Sequence, residues 1–283
     1  MRDKQKVAVI TDSSACVPQS EVRRLGIVVL PVHLIFGDRT YSDGVDLNAS
    51  EFYERLRNGE RSSTASPNVG EYLSAYRAVA EYASGAVCIC VPSSLASMFS
   101  SARTAADLTG GFPVSVVDCS TAAGGQGLVT LAAARRAAAG GSLDEVEAEA
   151  LNAMKRVRLV ASLETLEYLR RGGRAPRLAE WGTSLLQIKP LLTVDKGEVK
   201  LLRLARTHRG AVEDMIKFVE THSEGPGELR VMVQHADVLG EAEVLAQKLR
   251  AKLHPVELHI TEFTPVMGAH TGPGVLVIAF LKG

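Results

Sequence analysis

The chain has 283 residues, 46% of them hydrophobic and 23% charged, and its 32 basic and 32 acidic residues give a formal net charge of zero. This length exceeds that of a usual single domain, so we expect two domains in a soluble globular protein. A neutral chain has no general attraction for nucleic acid or an anionic membrane surface, and neither is expected as a partner. No apolar run approaches the ~20 residues of a membrane span, and no signal-peptide pattern opens the chain, so we expect a cytoplasmic protein without stable membrane insertion.

Metal and cofactor signals are absent from the sequence. The four cysteines, at positions 16, 88, 90 and 119, lack the paired spacing of zinc sites. Cys88 and Cys90 lie on one face of a predicted strand, as small core side chains do. The chain has no phosphate-binding loop, no G-x-S-x-G turn and no H-E-x-x-H motif, and the Gly125-Gln126-Gly127 segment lacks the third glycine of a dinucleotide site. We therefore expect no cofactor and no metal.

The first half of the chain alternates predicted strands with helices. Apolar runs at 7–11, 27–36, 86–91 and 113–117 predict strands, and helical spacing of apolar residues follows most of them. This order is typical of an α/β domain with a mainly parallel sheet. Residues 60–70 form a polar loop in this prediction, with Thr64 among its hydroxyl side chains.

Polar side chains follow three of the predicted strands, at 12–14, 93–97 and 118–121. Open α/β sheets bind ligands at this carboxyl edge. A helix predicted from about residue 95 to 108 places Ser93, Ser94 and Ser97 at its first turn, where free backbone N–H groups favour an anion. An ordinary serine N-cap explains the same pattern without a ligand.

The second half of the chain has a different pattern. A strand at 159–162, a hairpin over 190–194 and 198–205, and strands at 229–235, 256–264 and 275–281 alternate with helices and predict a mixed or antiparallel sheet. The predicted domains are 1–155 and 156–283. His270 lies in the glycine-rich segment 266–274, which predicts a loop, and a loop histidine is either functional or simply solvated.

Six motifs, read together and in order, resemble the DegV family. They are Thr11-Asp12-Ser13-Ser14, Tyr41-Ser42-Asp43-Gly44-Val45-Asp46, Ser93-Ser94-Leu95, Leu166-Glu167-Tyr168-Leu169-Arg170-Arg171-Gly172-Gly173-Arg174, Ile188-Lys189-Pro190 and Gly268-Ala269-His270-Thr271-Gly272-Pro273-Gly274. The resemblance covers nearly the whole chain. It implies two α/β domains, an N-terminal three-layer domain with a mainly parallel sheet and a C-terminal domain with a mixed or antiparallel sheet, which enclose a long-chain fatty acid between them.

The resemblance also implies a function and a set of site residues. Bacterial proteins of this kind resemble the non-catalytic subunit of fatty acid kinase, which holds the acyl chain while a separate ATP-binding subunit phosphorylates the carboxylate. The residues implied for fatty-acid binding are Thr64, Ser93, Ser94, Ser97, Gly125, His270 and Thr271, and Arg174 and His270 are implied to face the kinase. The family's usual serines are replaced here by Ala65 and Ala96, while Ser97 adds a hydroxyl.

Two other functions remain open from the sequence. A serine-dependent acyl hydrolase or transferase acting alone would use one of the strand-end serines, although no histidine can be paired with them from sequence. A regulatory protein could instead bind nucleic acid through the arginines at 170, 171, 174 and 177, but four arginines on a neutral chain more often form a solvated face.

Overall fold

The structure is a computed structural model that describes residues 7–174 and 188–283, so Arg177 lies outside the described residues. Within these ranges the strands are β1 (Ala8–Asp12), β2 (Val28–Leu30), β3 (His33–Phe36), β4 (Arg39–Ser42), β5 (Ser62–Ala65), β6 (Ala86–Cys90), β7 (Val114–Asp118), β8 (Arg158–Ser162), β9 (Lys189–Asp195), β10 (Glu198–Ala205), β11 (Leu229–His235), β12 (Glu257–Glu262) and β13 (Leu276–Lys282). The helices there are α1 (Gln19–Leu25), α2 (Ala49–Arg57), α3 (Val69–Ala80), α4 (Met98–Asp107), α5 (Gly124–Ala138), α6 (Leu143–Arg156), α7 (Glu167–Gly172), α8 (His208–His222), α9 (Leu239–Leu253) and α10 (Pro265–Thr271). A short 3₁₀ turn spans Ser13–Ala15.

The strands of the described chain form three sheets. The first is parallel, in the order β2-β1-β6-β7, and a small antiparallel sheet has the order β4-β3-β5. The third is mixed, in the order β10-β9-β8-β13-β11-β12, with β11 and β12 parallel. The predicted α/β fold, with a parallel sheet in the first half and a mixed sheet in the second, is confirmed.

Helix α5 joins the parallel sheet to the mixed sheet and is buried along most of its length. At its start, the backbone N–H of Gly124 donates to Gln234 Oε1 on β11 over 2.6 Å. One turn later, a Cβ at Gly127 would lie 2.7 Å from the carbonyl oxygen of Ala15, which follows β1, and 3.3 Å from the side chain of Met232 on β11. One buried apolar cluster includes side chains from both halves of the chain. The division into domains 1–155 and 156–283 therefore stays a prediction, although the sheets do change at that point.

Two predictions about the first half were wrong. The strand expected over 27–36 is broken at Pro31 into β2 and β3, which belong to different sheets, because proline has no N–H for a ladder. The segment around Thr64 is not a loop but strand β5, where Thr64 pairs with Leu34 of β3. The residues of this strand alternate between partly buried and exposed and most carry hydroxyl groups, so the strand lacks the apolar run from which the other strands were predicted.

Two helices also differ from prediction. Helix α4 begins at Met98 rather than near residue 95, so Ser93 and Ser94 lie in a separate turn before it. The segment that carries His270 is helix α10 rather than a loop. Its Gly268 is required for packing, because a Cβ there would lie 2.6 Å from Phe52 Cε1. Glycine in this helix thus signals a close contact with α2 rather than a turn.

None of the helices in the described ranges is both long and apolar enough to cross a lipid bilayer.

Candidate functional site

A cavity of about 520 Å³ lies between the mixed sheet, strand β5 of the small sheet, and the turns that follow β1, β6 and β7 of the parallel sheet. Its wall is mainly apolar and includes Leu159, Leu192, Val194, Val199, Phe263 and Val277. Pockets for small ligands are commonly about 300–1,000 Å³ and mostly apolar, with a few polar groups that orient the ligand. The cavity therefore suits a ligand that is largely hydrocarbon.

The polar end of the cavity is formed by Thr64, His270 and Arg174. These three residues also line a neighbouring cleft of about 510 Å³, together with Arg61 and Arg171. The polar end is therefore the place where the apolar cavity meets a basic cleft. A ligand with one polar end would have that end here and its apolar part in the cavity.

Thr64 and His270 are joined directly, with 2.9 Å between Thr64 Oγ1 and His270 Nε2. Burial, aided by the positive charge of Arg174, lowers the pKa of His270 from 6.5 to about 4, so the ring is neutral at pH 7. Its Nδ1 has no hydrogen-bond partner among the described residues. A ring that carries its proton on Nε2 donates to Thr64 Oγ1, which leaves the threonine hydroxyl free to donate to a ligand.

The last turn of α7 holds this pair in place. Gly172 lies against the imidazole, where a Cβ would be 2.7 Å from His270 Nδ1. The carbonyl oxygen of Gly172 also accepts a hydrogen bond from the guanidinium of Arg174. A guanidinium has five N–H donors in a planar fork, so Arg174 can bind an anion while it keeps this contact.

The other predicted binding residues divide into two groups. Ser97 and Thr271 line the cavity, although the Thr271 hydroxyl already donates to the Met267 carbonyl over 2.9 Å. Ser93 and Ser94 do not line it: Ser93 Oγ donates to Asp118 Oδ2 over 2.5 Å, and Ser94 Oγ donates to the Gly197 carbonyl over 2.6 Å.

Gly125 does not line the cavity either. A Cβ at this position would lie 2.4 Å from Thr121 Oγ1, so the glycine allows the start of α5 to pack closely on the preceding turn. The next residue, Gln126, donates from Nε2 to Asp12 Oδ2 over 2.8 Å. The Gly125-Gln126-Gly127 segment therefore supports the packing of α5.

Three hydroxyl residues of the cavity wall, Ser14, Ser66 and Thr193, were not predicted as site residues. Ser14 is bonded to the buried carboxyl of Asp12, whose pKa is raised by burial. Thr193 Oγ1 donates to the Leu159 carbonyl over 2.7 Å. The strand-end position of Ser14 and the hydroxyl-rich segment of Ser66 were visible in the sequence, whereas nothing local marked Thr193.

Comparison with known proteins gives matches over nearly the whole chain. A family model described as an uncharacterised protein of the DegV family matches residues 6–283. A DegV domain-containing protein of Streptomyces coelicolor is 32% identical over 272 residues, which cover 95% of this chain and 96% of the relative.

Solved structures agree with these matches. A DegV family protein from Thermus thermophilus, reported for its fatty acid binding, superposes with a TM-score of 0.90 at 29% identity, covering 98% of this chain and 100% of that one. DegV of Bacillus subtilis, described as a fatty acid binding protein, gives a TM-score of 0.90 at 27% identity, covering 98% and 99%. The chain therefore belongs to the DegV family.

Proposed function

We propose that this protein binds a long-chain fatty acid in the apolar cavity, with the carboxylate at Thr64, His270 and Arg174. The proposal rests on the way the two parts of the site meet: an apolar cavity of about 520 Å³ ends at a partly buried hydroxyl–imidazole pair and an arginine. The reported fatty acid binding of the Thermus thermophilus and Bacillus subtilis relatives supports it.

The apolar wall accounts for affinity. Burying about fifteen methylenes at about 0.8 kcal/mol each contributes roughly 12 kcal/mol before costs. Association and ordering of the chain cost about 4–15 kcal/mol, so the net contribution of the tail lies between about 8 kcal/mol and none. The polar end of the cavity then determines the orientation of the ligand and selects for a carboxylic acid.

Arg174 and Thr64 account for the choice of a carboxylate. A buried carboxylate without partners is strongly unfavourable, whereas a guanidinium and a hydroxyl supply charge and donors. Each charge-assisted hydrogen bond contributes about 1.5–3 kcal/mol. With its proton on Nε2, the neutral His270 ring would donate to Thr64 Oγ1 and leave the threonine hydroxyl free to donate to the carboxylate.

We further propose that the bound acid is presented to a separate kinase subunit. A carboxylate oxygen would attack the γ-phosphorus of ATP on that subunit, releasing ADP and leaving an acyl phosphate. The absence of phosphate-loop and dinucleotide motifs from this sequence favours a separate source of ATP. The basic cleft beside the polar end, with Arg61, Arg171 and Arg174, could receive the negatively charged reaction centre.

Two measurements test the proposal. Native mass spectrometry with lipid extraction should show a fatty acid bound to the purified protein. A protein that neither carries nor binds palmitate would contradict the proposed fatty-acid binding.

The second measurement adds the kinase subunit and ATP. Wild-type protein should then support formation of acyl phosphate, which hydroxylamine traps. We expect Arg174→Ala and His270→Ala to bind palmitate more weakly but still to hold it at saturating concentration, through the tail, and not to support trapping under those conditions. Arg209→Ala, which changes an exposed arginine paired with Glu213, should behave as wild type. Wild-type rates in both site variants would contradict the role of this end.

The geometry gives less support to a serine-dependent hydrolase acting alone. Ser93 is bonded to Asp118 and Ser94 to a backbone carbonyl, and the hydroxyl partner of His270 is Thr64. With a pKa of about 4, His270 is a weak base, and no group among the described residues orients its Nδ1. Labelling of a serine by a fluorophosphonate, together with acyl turnover that depends on the same serine, would favour the hydrolase over the binding protein.

A further inference from the structure

The hairpin formed by β9 and β10 is only partly joined to the rest of its sheet. Within the described chain, β9 pairs with β10 from Lys189 to Asp195 but with β8 at only two positions, Leu191 and Leu192. Beyond Leu192 β9 stays close to β8, but no further backbone pair between these strands is present in the described chain. We call residues 193–200, which form this outer part, the flap.

A β-bulge lies at the base of the flap. The register of β10 shifts between Leu201, which pairs with Leu192, and Arg203, which pairs with Leu191. The extra residue, Leu202, is therefore at the level where the β8–β9 ladder ends. Bulges interrupt the ladder and bend the strand locally, so this is the position at which the hairpin can bend without losing its own pairing.

The flap forms part of the cavity wall. Thr193, Val194 and Val199 line the cavity on the flap side, and Leu159 and Ala161 of β8 line it on the sheet side. The flap residues that line the cavity therefore begin where the β8–β9 ladder ends. Moving the flap outward would open the cavity along its side.

Hydrogen bonds from Thr193, Ser94 and Gly197 contribute to holding the flap closed. Thr193 Oγ1 donates to the Leu159 carbonyl over 2.7 Å, where a backbone ladder would otherwise continue. At the tip, Ser94 Oγ donates to the Gly197 carbonyl over 2.6 Å, and the Gly197 N–H donates to the Ser120 carbonyl over 2.8 Å. The tip thus contacts the turns that follow β6 and β7 of the parallel sheet.

The flap is also stiff in itself. Lys196 and Gly197 have φ values of 52° and 77°, the left-handed pair that makes a tight two-residue hairpin turn. Lys200 Nζ lies 2.8 Å from Asp195 Oδ2 across the hairpin. Outward movement about the bulge would break these hydrogen bonds and the packing of Val194 and Val199 on the core, and would leave the β9–β10 ladder intact.

We propose that the flap is the gate through which the acyl chain enters and leaves, and that Ser94 is its latch. The proposal rests on the fatty-acid binding proposed above. It gives the Ser94 hydroxyl a different role from the carboxylate contact implied by the sequence resemblance. Opening the latch exposes the apolar wall to the tail while Thr64, His270 and Arg174 stay in place.

A disulfide can close the gate covalently. A Cβ built on Gly197 lies 3.8 Å from Cβ of Ser94. Cβ atoms joined by a disulfide are about 3.8 Å apart, so Ser94→Cys with Gly197→Cys should form one on oxidation. The four native cysteines are buried and do not compete.

The test measures exchange of cis-parinaric acid, a fluorescent 18-carbon fatty acid, by stopped-flow displacement with excess palmitate. Because a gated ligand leaves only when the gate opens, the oxidised double variant should release the probe roughly ten-fold more slowly, or slower still, than the same protein after reduction. Mass spectrometry confirms the disulfide, and the reduced form controls for any strain at Gly197. Equal rates in the two forms would overturn the proposal.

Ser94→Ala provides a second, independent measurement. Loss of one latch bond should raise both the binding and the release rate, each by about two- to ten-fold, since opening becomes easier with and without ligand. An increase in the release rate alone would identify Ser94 as a carboxylate contact and overturn its role as a latch. Wild-type protein that fails to bind either fatty acid would instead refute the proposed function, a result distinct from equal exchange rates.

Discussion

Replacing Thr64 with valine tests the polar end of the site most directly. Valine keeps the shape of threonine but has no hydroxyl, so a bound carboxylate would lose one charge-assisted hydrogen bond, worth about 1.5–3 kcal/mol. With tenfold in affinity for every 1.4 kcal/mol, palmitate should bind about 10- to 150-fold more weakly. The substitution also removes the partner of His270 Nε2, which lies 2.9 Å from Thr64 Oγ1.

The assay is competition of palmitate against cis-parinaric acid at equilibrium, at pH 7 and fixed ionic strength. Thr64→Ser is the matched control, because it restores the hydroxyl and should recover most of the affinity. Methyl palmitate is the matched ligand: it has the same tail but no charge, so the valine substitution should cost it only about 0.5–1.5 kcal/mol, as for a neutral hydrogen bond.

Two results would refute the reasoning. Wild-type affinity for palmitate in Thr64→Val would remove the hydroxyl from the carboxylate site. An equal loss for palmitate and its methyl ester would show that the substitution disturbs the apolar wall rather than a contact to the charged group. Thermal unfolding of both variants separates these outcomes from a general loss of structure.

Two further predictions concern His270. Gly172→Ala should displace the imidazole, because the new Cβ would lie 2.7 Å from Nδ1, and it should weaken palmitate binding in the same competition assay. Gly173→Ala is the control: its Cβ meets no atom within 4 Å, so it should lower stability through its positive φ but leave binding nearly intact. Weaker binding in Gly173→Ala than in Gly172→Ala would contradict the steric argument. The pKa of His270 is about 4 in the folded protein against 6.5 for the unperturbed side chain, so the unfolded chain takes up a proton first as the pH falls. The free energy of unfolding should therefore decrease between pH 6.5 and 4 and be unaffected by this group above that range. His270→Gln should make this pH dependence less steep in denaturant titrations, and an unchanged dependence would show that the ring is not buried in its neutral form.

Much of the fold could be predicted from the sequence because its signals are local. The continuous apolar run that became β6 is buried on both faces, as the run predicts, and its neighbours β1 and β7 are parallel to it. Asp12 and Asp118 end β1 and β7 at one edge of this sheet, as their strand-end positions predict. Periodicity and strand-end position depend on only a few neighbouring residues, so they can be recognised in the sequence without knowing which strands pair.

The contacts of the site depend on residues far apart in the chain, and no local pattern contains them. Thr64 and His270 are separated by 206 positions, and each lies on an element that was predicted as a loop. Strand β5 exists because β3 supplies its hydrogen-bond partners, and α10 tolerates Gly268 because this glycine allows close packing against α2. Ser94 shows the same limit: its place after a strand suggested an anion contact, but its hydroxyl is bonded to Gly197, 103 residues away. Sequence determined which polar side chains reach the edge of the sheet, and tertiary packing decided which of them face the cavity, because a hydroxyl bonds the nearest acceptor that the folded chain places beside it.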